Sequence, residues 1–302
     1  MLHVRRGAVA LLACLCGASP LNTAAAQGWM YWSSVVDGIH RAELNGALEQ
    51  TLVSGTGASF GIAVHPDLGR MYYSEHTGFQ SGRIRSAALD GSNLQTIATN
   101  GYIFGVALDV SRSQIWWASN IANTVRRANL DGSGGMDIAF GIDPVSVAID
   151  PVRGKVYWSD AGDSKIRRAN LDGTAVEVVV PSIFVGFGGA IAVETVHGYL
   201  YWAENAFSGR IWRGGLDGSS PVVIAAGINT GSGIGLAIDT DCDRIYWTER
   251  ESGRIVRANL DGTGVQVLLT GLAQPTGIAL VGSDCAVQIE RSSWGSLKAI
   301  YR

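Results

Sequence analysis

From Tyr31 onward one pattern of apolar and polar positions is written again and again. Its clearest copy runs from Ile245 to Gly262, IYWTERESGRIVRANLDG. An aromatic, apolar run, a short polar turn and a second apolar run predict a β-hairpin. The closing Asp261-Gly262 predicts a two-residue type I′ turn into a third strand, because that turn needs positive φ at both central residues. A β-branched run follows, then a Gly-rich connection, then a short strand of the form G-x-A-x-acid.

The aromatic pair recurs at Tyr31-Trp32, Tyr72-Tyr73, Trp116-Trp117, Tyr157-Trp158, Tyr201-Trp202 and Tyr246-Trp247, with spacings of 41, 44, 41, 44 and 45 residues. Turn dipeptides follow each pair, at Asn45-Gly46, Asp90-Gly91, Asp131-Gly132, Asp172-Gly173, Asp217-Gly218 and Asp261-Gly262. Four short strands at this period are the signature of a β-propeller blade. The small residues of G-x-A suit the innermost strand, where blades converge. The aromatic pair suits the second strand, covered on both faces by its neighbours.

The phase of the repeat predicts how the ring closes. No G-x-A strand precedes Tyr31, and one extra follows the last copy, at Gly277 to Leu280. This C-terminal strand is therefore expected to complete the blade begun by residues 30–53. The expected fold is all-β, a six-bladed propeller of four-stranded blades, clasped between the two ends of the chain. It spans residues 27–285, and residues 286–302 are expected to cap or extend the closing blade.

The pattern resembles the YWTD, or class B, repeats of the low-density lipoprotein receptor family. The nearest copies are Y-W-T-E at 246–249, Y-W-S-D at 157–160 and I-R-R-A-N-L-D-G at 166–173. The resemblance implies an extracellular recognition propeller. It also implies that the acid in the fourth motif position pairs with an Arg on the next strand, here Asp160 with Arg168, Glu204 with Arg213 and Glu249 with Arg257. The family's propellers are followed by a Cys-rich growth-factor-like module and a membrane anchor. Neither pattern occurs here, so a free-standing propeller is expected.

Composition adds a compartment. Arg5-Arg6, the apolar run from Gly7 to Ala18 and Ala24-Ala25-Ala26 read as a cleavable signal peptide over residues 1–26. The chain is expected to be secreted or periplasmic, and the excess of arginine over lysine fits a bacterial genome. The formal net charge is −3, and loss of Arg5 and Arg6 makes it more negative. That excludes a nucleic-acid footprint. No stretch after the leader is long and apolar enough to span a membrane. Of the four cysteines, Cys242 and Cys285 lie outside the leader. A disulfide between them is the default for an exported chain, stabilising it by about 4 kcal/mol in the chain-entropy model.

The residues give little catalytic signal. The histidines after the leader (His40, His65, His76 and His197) fall in different slots with no metal-ligand spacing. No nucleophile elbow or phosphate loop appears. The acids ending the inner strands, Asp109, Asp150, Glu194 and Asp239, recur in one slot and are expected to tie blades together. The residues entering those strands (Phe60, Phe104, Val145, Gly189, Ile234 and Thr276) are poor ligands for a hard cation. No cofactor is expected.

One feature lies outside the repeat. The chain has seven Phe, none in the aromatic motif. Phe60, Phe104, Phe140, Phe184 and Phe187 fall in or beside the connections from outer to inner strand. Phe79 and Phe207 fall in loops after the aromatic strand. Both loop classes emerge at one end of a propeller, and Tyr102 and His76 join them there. The expected function is capture of an extracellular or envelope protein, peptide or glycan by this Phe-rich face. The competing view of the same residues is that they plug the axis or pack beneath their loops. Two other functions stand beside the first: a lactonase- or lyase-like enzyme with a metal at the axis, and a scaffold of the cell envelope.

Overall fold

The structure is a computed structural model that describes residues 28–99, 101–141, 143–183, 189–204, 208–229, 233–283 and 285. The leader expected over residues 1–26 and the tail over 286–302 lie outside them, as do Phe184, Phe187 and Phe207.

Six four-stranded antiparallel sheets form the blades of a β-propeller. The second strands carry the aromatic pairs: Trp29–Ser34, Arg70–Gly78, Gln114–Ser119, Lys155–Asp160, Tyr199–Glu204 and Arg244–Glu249. Every residue of the six pairs is at most 2% exposed. Each is sandwiched between its own and neighbouring blades, as the unbroken apolar run requires.

The inner strands of blades two to six are Ile62–His65, Ile103–Asp109, Pro144–Asp150, Ile191–Glu194 and Leu236–Asp239. Blade one takes its inner strand from the far end of the chain. Pro275–Val281 pairs with Trp29–Ser34, setting Ala279 opposite Tyr31 and Ile278 opposite Trp32. The ring closes in the expected phase. Cys242 and Cys285 are joined, with Cα atoms 5.4 Å apart, so the segment after the closing strand is stapled to a turn of blade six.

The turns after the third strands differ from expectation. Within each turn dipeptide only the glycine has positive φ, from +79° to +89°, and the preceding Asn or Asp does not. In blade three Gly132 N–H donates to Asn129 O, and Asn129 N–H to Ser133 O. This is a type I turn followed by a left-handed glycine, not type I′. Asp131 stays out of the left-handed region because its carboxylate accepts the Ser133 N–H, at 2.9 Å. A Cβ on Gly132 would lie 2.0 Å from Ile97 O of the preceding blade. These turns therefore also pack blade against blade.

The expected ion pairs are re-partnered. The register sets Tyr157 opposite Arg168, Tyr201 opposite Arg213 and Tyr246 opposite Arg257. Each acid lies three residues beyond its tyrosine and so points to the other face of the sheet. The acids instead meet arginines nearer the start of the third strand: Glu75 with Arg83, Asp160 with Arg167, Glu204 with Arg210 and Glu249 with Arg254.

The arginines of the expected pairs clasp the next blade. Arg168 donates to Leu216 O at 2.9 Å and Arg213 to Leu260 O at 3.2 Å. Arg41 and Arg127 reach Leu89 O and Leu171 O in the same way. The inner-strand acids tie blades only in part: Asp150 holds Arg153, which reaches Thr195 O of the next blade. Asp150 accepts Arg153 N–H, Glu194 accepts Val196 and His197 N–H, and Asp239 accepts Asp241 and Cys242 N–H. They brace the turns that follow them.

Candidate functional site: the aromatic mouth and the axial channel

The inner strands run antiparallel to the second strands. The start of each inner strand, the end of each second strand and the end of each outer strand therefore share one end of the ring. Phe60 and Tyr102 precede inner strands two and three, and Phe104 is the second residue of strand three. His76 and Phe79 end the second strand of blade two and begin its turn. Phe140 is the last residue of an outer strand, Met136–Phe140.

Four of the expected residues form one cluster. His76 lies 3.7 Å from Tyr102 and 4.9 Å from Phe60, ring centroid to centroid, and Phe60 lies 5.0 Å from Phe104. Edge contacts of His76 and Tyr102 with Phe104 complete it. His76 and Phe104 are each 6% exposed, while Phe60 and Tyr102 are half-buried. The cluster is thus a packed joint between blades two and three. Phe79 and Phe140 differ, being 93% and 76% exposed.

His76 Nε2 is 2.7 Å from Ile103 O, the geometry of an N–H donor, and its Nδ1 is buried without a partner among the described residues. Burial pushes its pKa below the usual histidine value and outweighs the Ile103 bond. Next to it, burial pushes the Glu75 carboxyl up. Arg83 and the Gly57 N–H, with the charge of Arg85, overcome this and hold it below the usual range. Arg83 grips Glu75 with Nε and Nη2, each at 2.9 Å. Gly57 is held so closely that a Cβ there would lie 1.7 Å from His76 O. The loop leading to Phe60 is fixed by these contacts.

Phe60 and Phe104 also reach the axial channel, of about 280 Å³. All six blades line it, and among the described residues Ser146 is the one polar side chain in the lining. Ser146 Oγ already accepts Ile191 N–H of the next blade. Among the described residues no group of three or more His, Cys, Asp and Glu is placed to hold a metal ion. His40 stacks on Trp32 and bonds Asp37 and Thr51, His65 fills the inner-strand acid slot of blade two, and His197 lies against Glu194.

The third motif position carries a role not anticipated from the sequence. Ser74 Oγ accepts Gly61 N–H of its own inner strand and donates to Phe104 O of the next blade, at 2.9 and 3.1 Å. Thr248 does the same with Gly235 N–H and Thr276 O, and Ser159 Oγ donates to Gly189 O. Ala118 and Ala203 hold this slot in blades three and five. The signal was present as the recurring Ser or Thr after the aromatic pair.

No protein-family model matches the chain. Among solved structures it is similar to a chain of the nidogen/laminin complex, with a TM-score of 0.71 and 17% identity over 85% of this chain and all of that one. It is also similar to TolB from Acinetobacter baumannii, with a TM-score of 0.68 and 12% identity over 85% of this chain and 67% of that one. At these identities the likeness shows the β-propeller fold. No helix among the described residues is long and apolar enough to cross a membrane.

Proposed function

We propose that this chain is an exported, YWTD-like binding propeller. It captures a protein, peptide or glycan at the end of the ring bearing the aromatic mouth. The observation that carries this reading is the exposure of Phe79 and Phe140, 93% and 76%, at the same end as the Phe60–His76–Tyr102–Phe104 joint. Exposed aromatic anchors on a rigid base suit recognition, since little order is lost when they bind. The similar nidogen/laminin structure contains a protein complex, which supports the protein-binding form of the reading. Export is supported by the leader-like N-terminus and by the Cys242–Cys285 disulfide.

The test is affinity capture from the native extracellular or periplasmic fraction, with wild-type chain and a Phe79→Ser/Phe140→Ser variant. Both side chains are exposed, so the variant should melt within a degree or two of wild type, as about ±0.5 kcal/mol surface changes do. Loss of the captured partner from the variant supports the reading. Equal capture by both proteins would overturn it.

A further inference from the structure

The opposite end of the ring carries a groove of about 370 Å³ at the seam between blades five and six. Its walls are the inner-to-second turns of both blades, with His197 and Asp243, and the third-to-outer turn of blade six, with Asn259 and Asp261. Tyr199 and Arg213 form its blade-five side. Three features, found together only at this seam among the described residues, leave it open.

First, the opening residue of the second strand is Arg70, Gln114, Lys155 or Arg244 in blades two, three, four and six, a long polar side chain over this end. Arg70 bonds Ser86 and Lys155 bonds Asn170. In blade five the residue is Tyr199, with the Arg213 guanidinium 4.7 Å from its ring centroid, an arrangement shared only with Trp29 and Arg41 of blade one among the described residues.

Second, the clasping arginines of the other blades are also held from their own outer strand: Arg41 by Gln50, Arg127 by Met136 sulfur, Arg168 by Glu177 and Arg257 by Gln266. The residue facing Arg213 is Val222, which has no acceptor. Arg213 donates Nη1 to Leu260 O and lies against the Tyr201 hydroxyl, but it lacks the outer-strand partner that its counterparts have.

Third, the Asp243 carboxylate has no partner among the described residues. Its backbone is fixed by a φ of +51°, by the Leu260 N–H bond to its carbonyl and by the adjacent Cys242 disulfide.

The groove thus presents the Arg213 guanidinium, the Asp243 carboxylate and the second oxygen of Asp261 around the Tyr199 ring, which stacks with Arg213 and His197. A cation would face the Arg213 guanidinium, and an anion would face Asp243 and Asp261. A neutral ligand carrying both donors and acceptors satisfies every group. We propose that this seam is a saccharide subsite that takes one neutral hexose or N-acetylhexosamine unit. The volume fits one such unit, and hydroxyls bridge a carboxylate and a guanidinium without charge cost. The subsite is separate from the Phe-bearing mouth and does not depend on it.

The test is titration of the full chain with glucose, galactose, N-acetylglucosamine and, separately, glycine, read by amide NMR shifts. For so small a ligand a dissociation constant on the order of millimolar is expected, with shifts centred on residues 197–199, 213, 243 and 259–261. Val222→Glu gives Arg213 the outer-strand acid that Arg168 has, so it should weaken binding by roughly tenfold. The same variant should leave the melting temperature unchanged or raised. Asp243→Gly, which tolerates the left-handed backbone, should weaken binding equally. Phe79→Ser/Phe140→Ser should bind sugar as wild type does. Absence of saturable shifts with all three sugars overturns the proposal. So does wild-type affinity in both the Val222→Glu and Asp243→Gly variants, or binding of glycine in place of sugar.

Discussion

Arg257, near the end of the last complete repeat, donates Nη1 to the carbonyl of Leu44 in the first blade, at 3.2 Å. With the clasps of Arg41, Arg127, Arg168 and Arg213, it makes a belt across five of the six blade seams. The sixth seam carries Ser86 in the arginine slot, and Arg70 occupies Ser86 from within the same blade.

Arg257→Met keeps much of the side-chain stem and removes the donor. It should lower unfolding stability by about 1.5–3 kcal/mol, the range for a hydrogen bond to a charged group. Urea denaturation measures this. An unchanged midpoint at unchanged slope would show that the belt adds nothing.

Thr248→Val preserves shape and deletes the hydroxyl between Gly235 N–H and Thr276 O. Two buried backbone groups lose a partner, and a loss of about 1–3 kcal/mol or more is expected. Ala203→Ser, in the corresponding slot of blade five, is the reciprocal test and should be neutral or stabilising. Matched thermal melts of the two variants check both signs.

Reduction of Cys242–Cys285 releases the segment behind the closing strand. Dithiothreitol, or Cys242→Ser/Cys285→Ser, should reduce stability by up to about 4 kcal/mol. Loss of protection should begin in the amides of residues 275–281. Hydrogen exchange resolves this order, and protection lost first in blade three or four would contradict it.

His76 makes stability depend on pH. Its folded pKa lies below the ordinary value because burial disfavours the imidazolium. The unfolded chain therefore binds the proton more readily in the window just below about pH 6.5, and stability falls as pH drops through it. His76→Phe should flatten that part of the stability–pH curve, as followed by urea melts at stepped pH.

The ring, its blade count and its point of closure were legible because six imperfect copies share one phase. A repeat unit cannot bury its faces alone, so the phase dictates which strand is missing and where it must come from. Ion-pair partners were harder to read, because pairing across a hairpin depends on its register. The alternation rule would have excluded Asp160 with Arg168: Arg168 faces Tyr157, and Asp160 lies an odd number of residues beyond it. The Phe residues divide along a line visible in the repeat. Phe60 and Phe104 hold a slot that recurs at the entry to every inner strand, and both pack. Phe79 and Phe140 hold no recurring slot, and both are exposed. The seam groove was hidden because it arises from what Tyr199 and Val222 lack relative to their counterparts, which only the register reveals.

Clasping blade one with Pro275–Val281 also sets an order of events in time. A ribosome delivers Trp29–Ser34 early, and its partner strand Pro275–Val281 follows about 240 residues later. Until then one edge of that strand presents unpaired backbone groups beside Met30 and Trp32, the kind of edge that recruits foreign strands. A chain cut short anywhere before Pro275 would keep that edge open for good. Nascent and truncated chains should therefore share an aggregation hazard from which the finished ring is free.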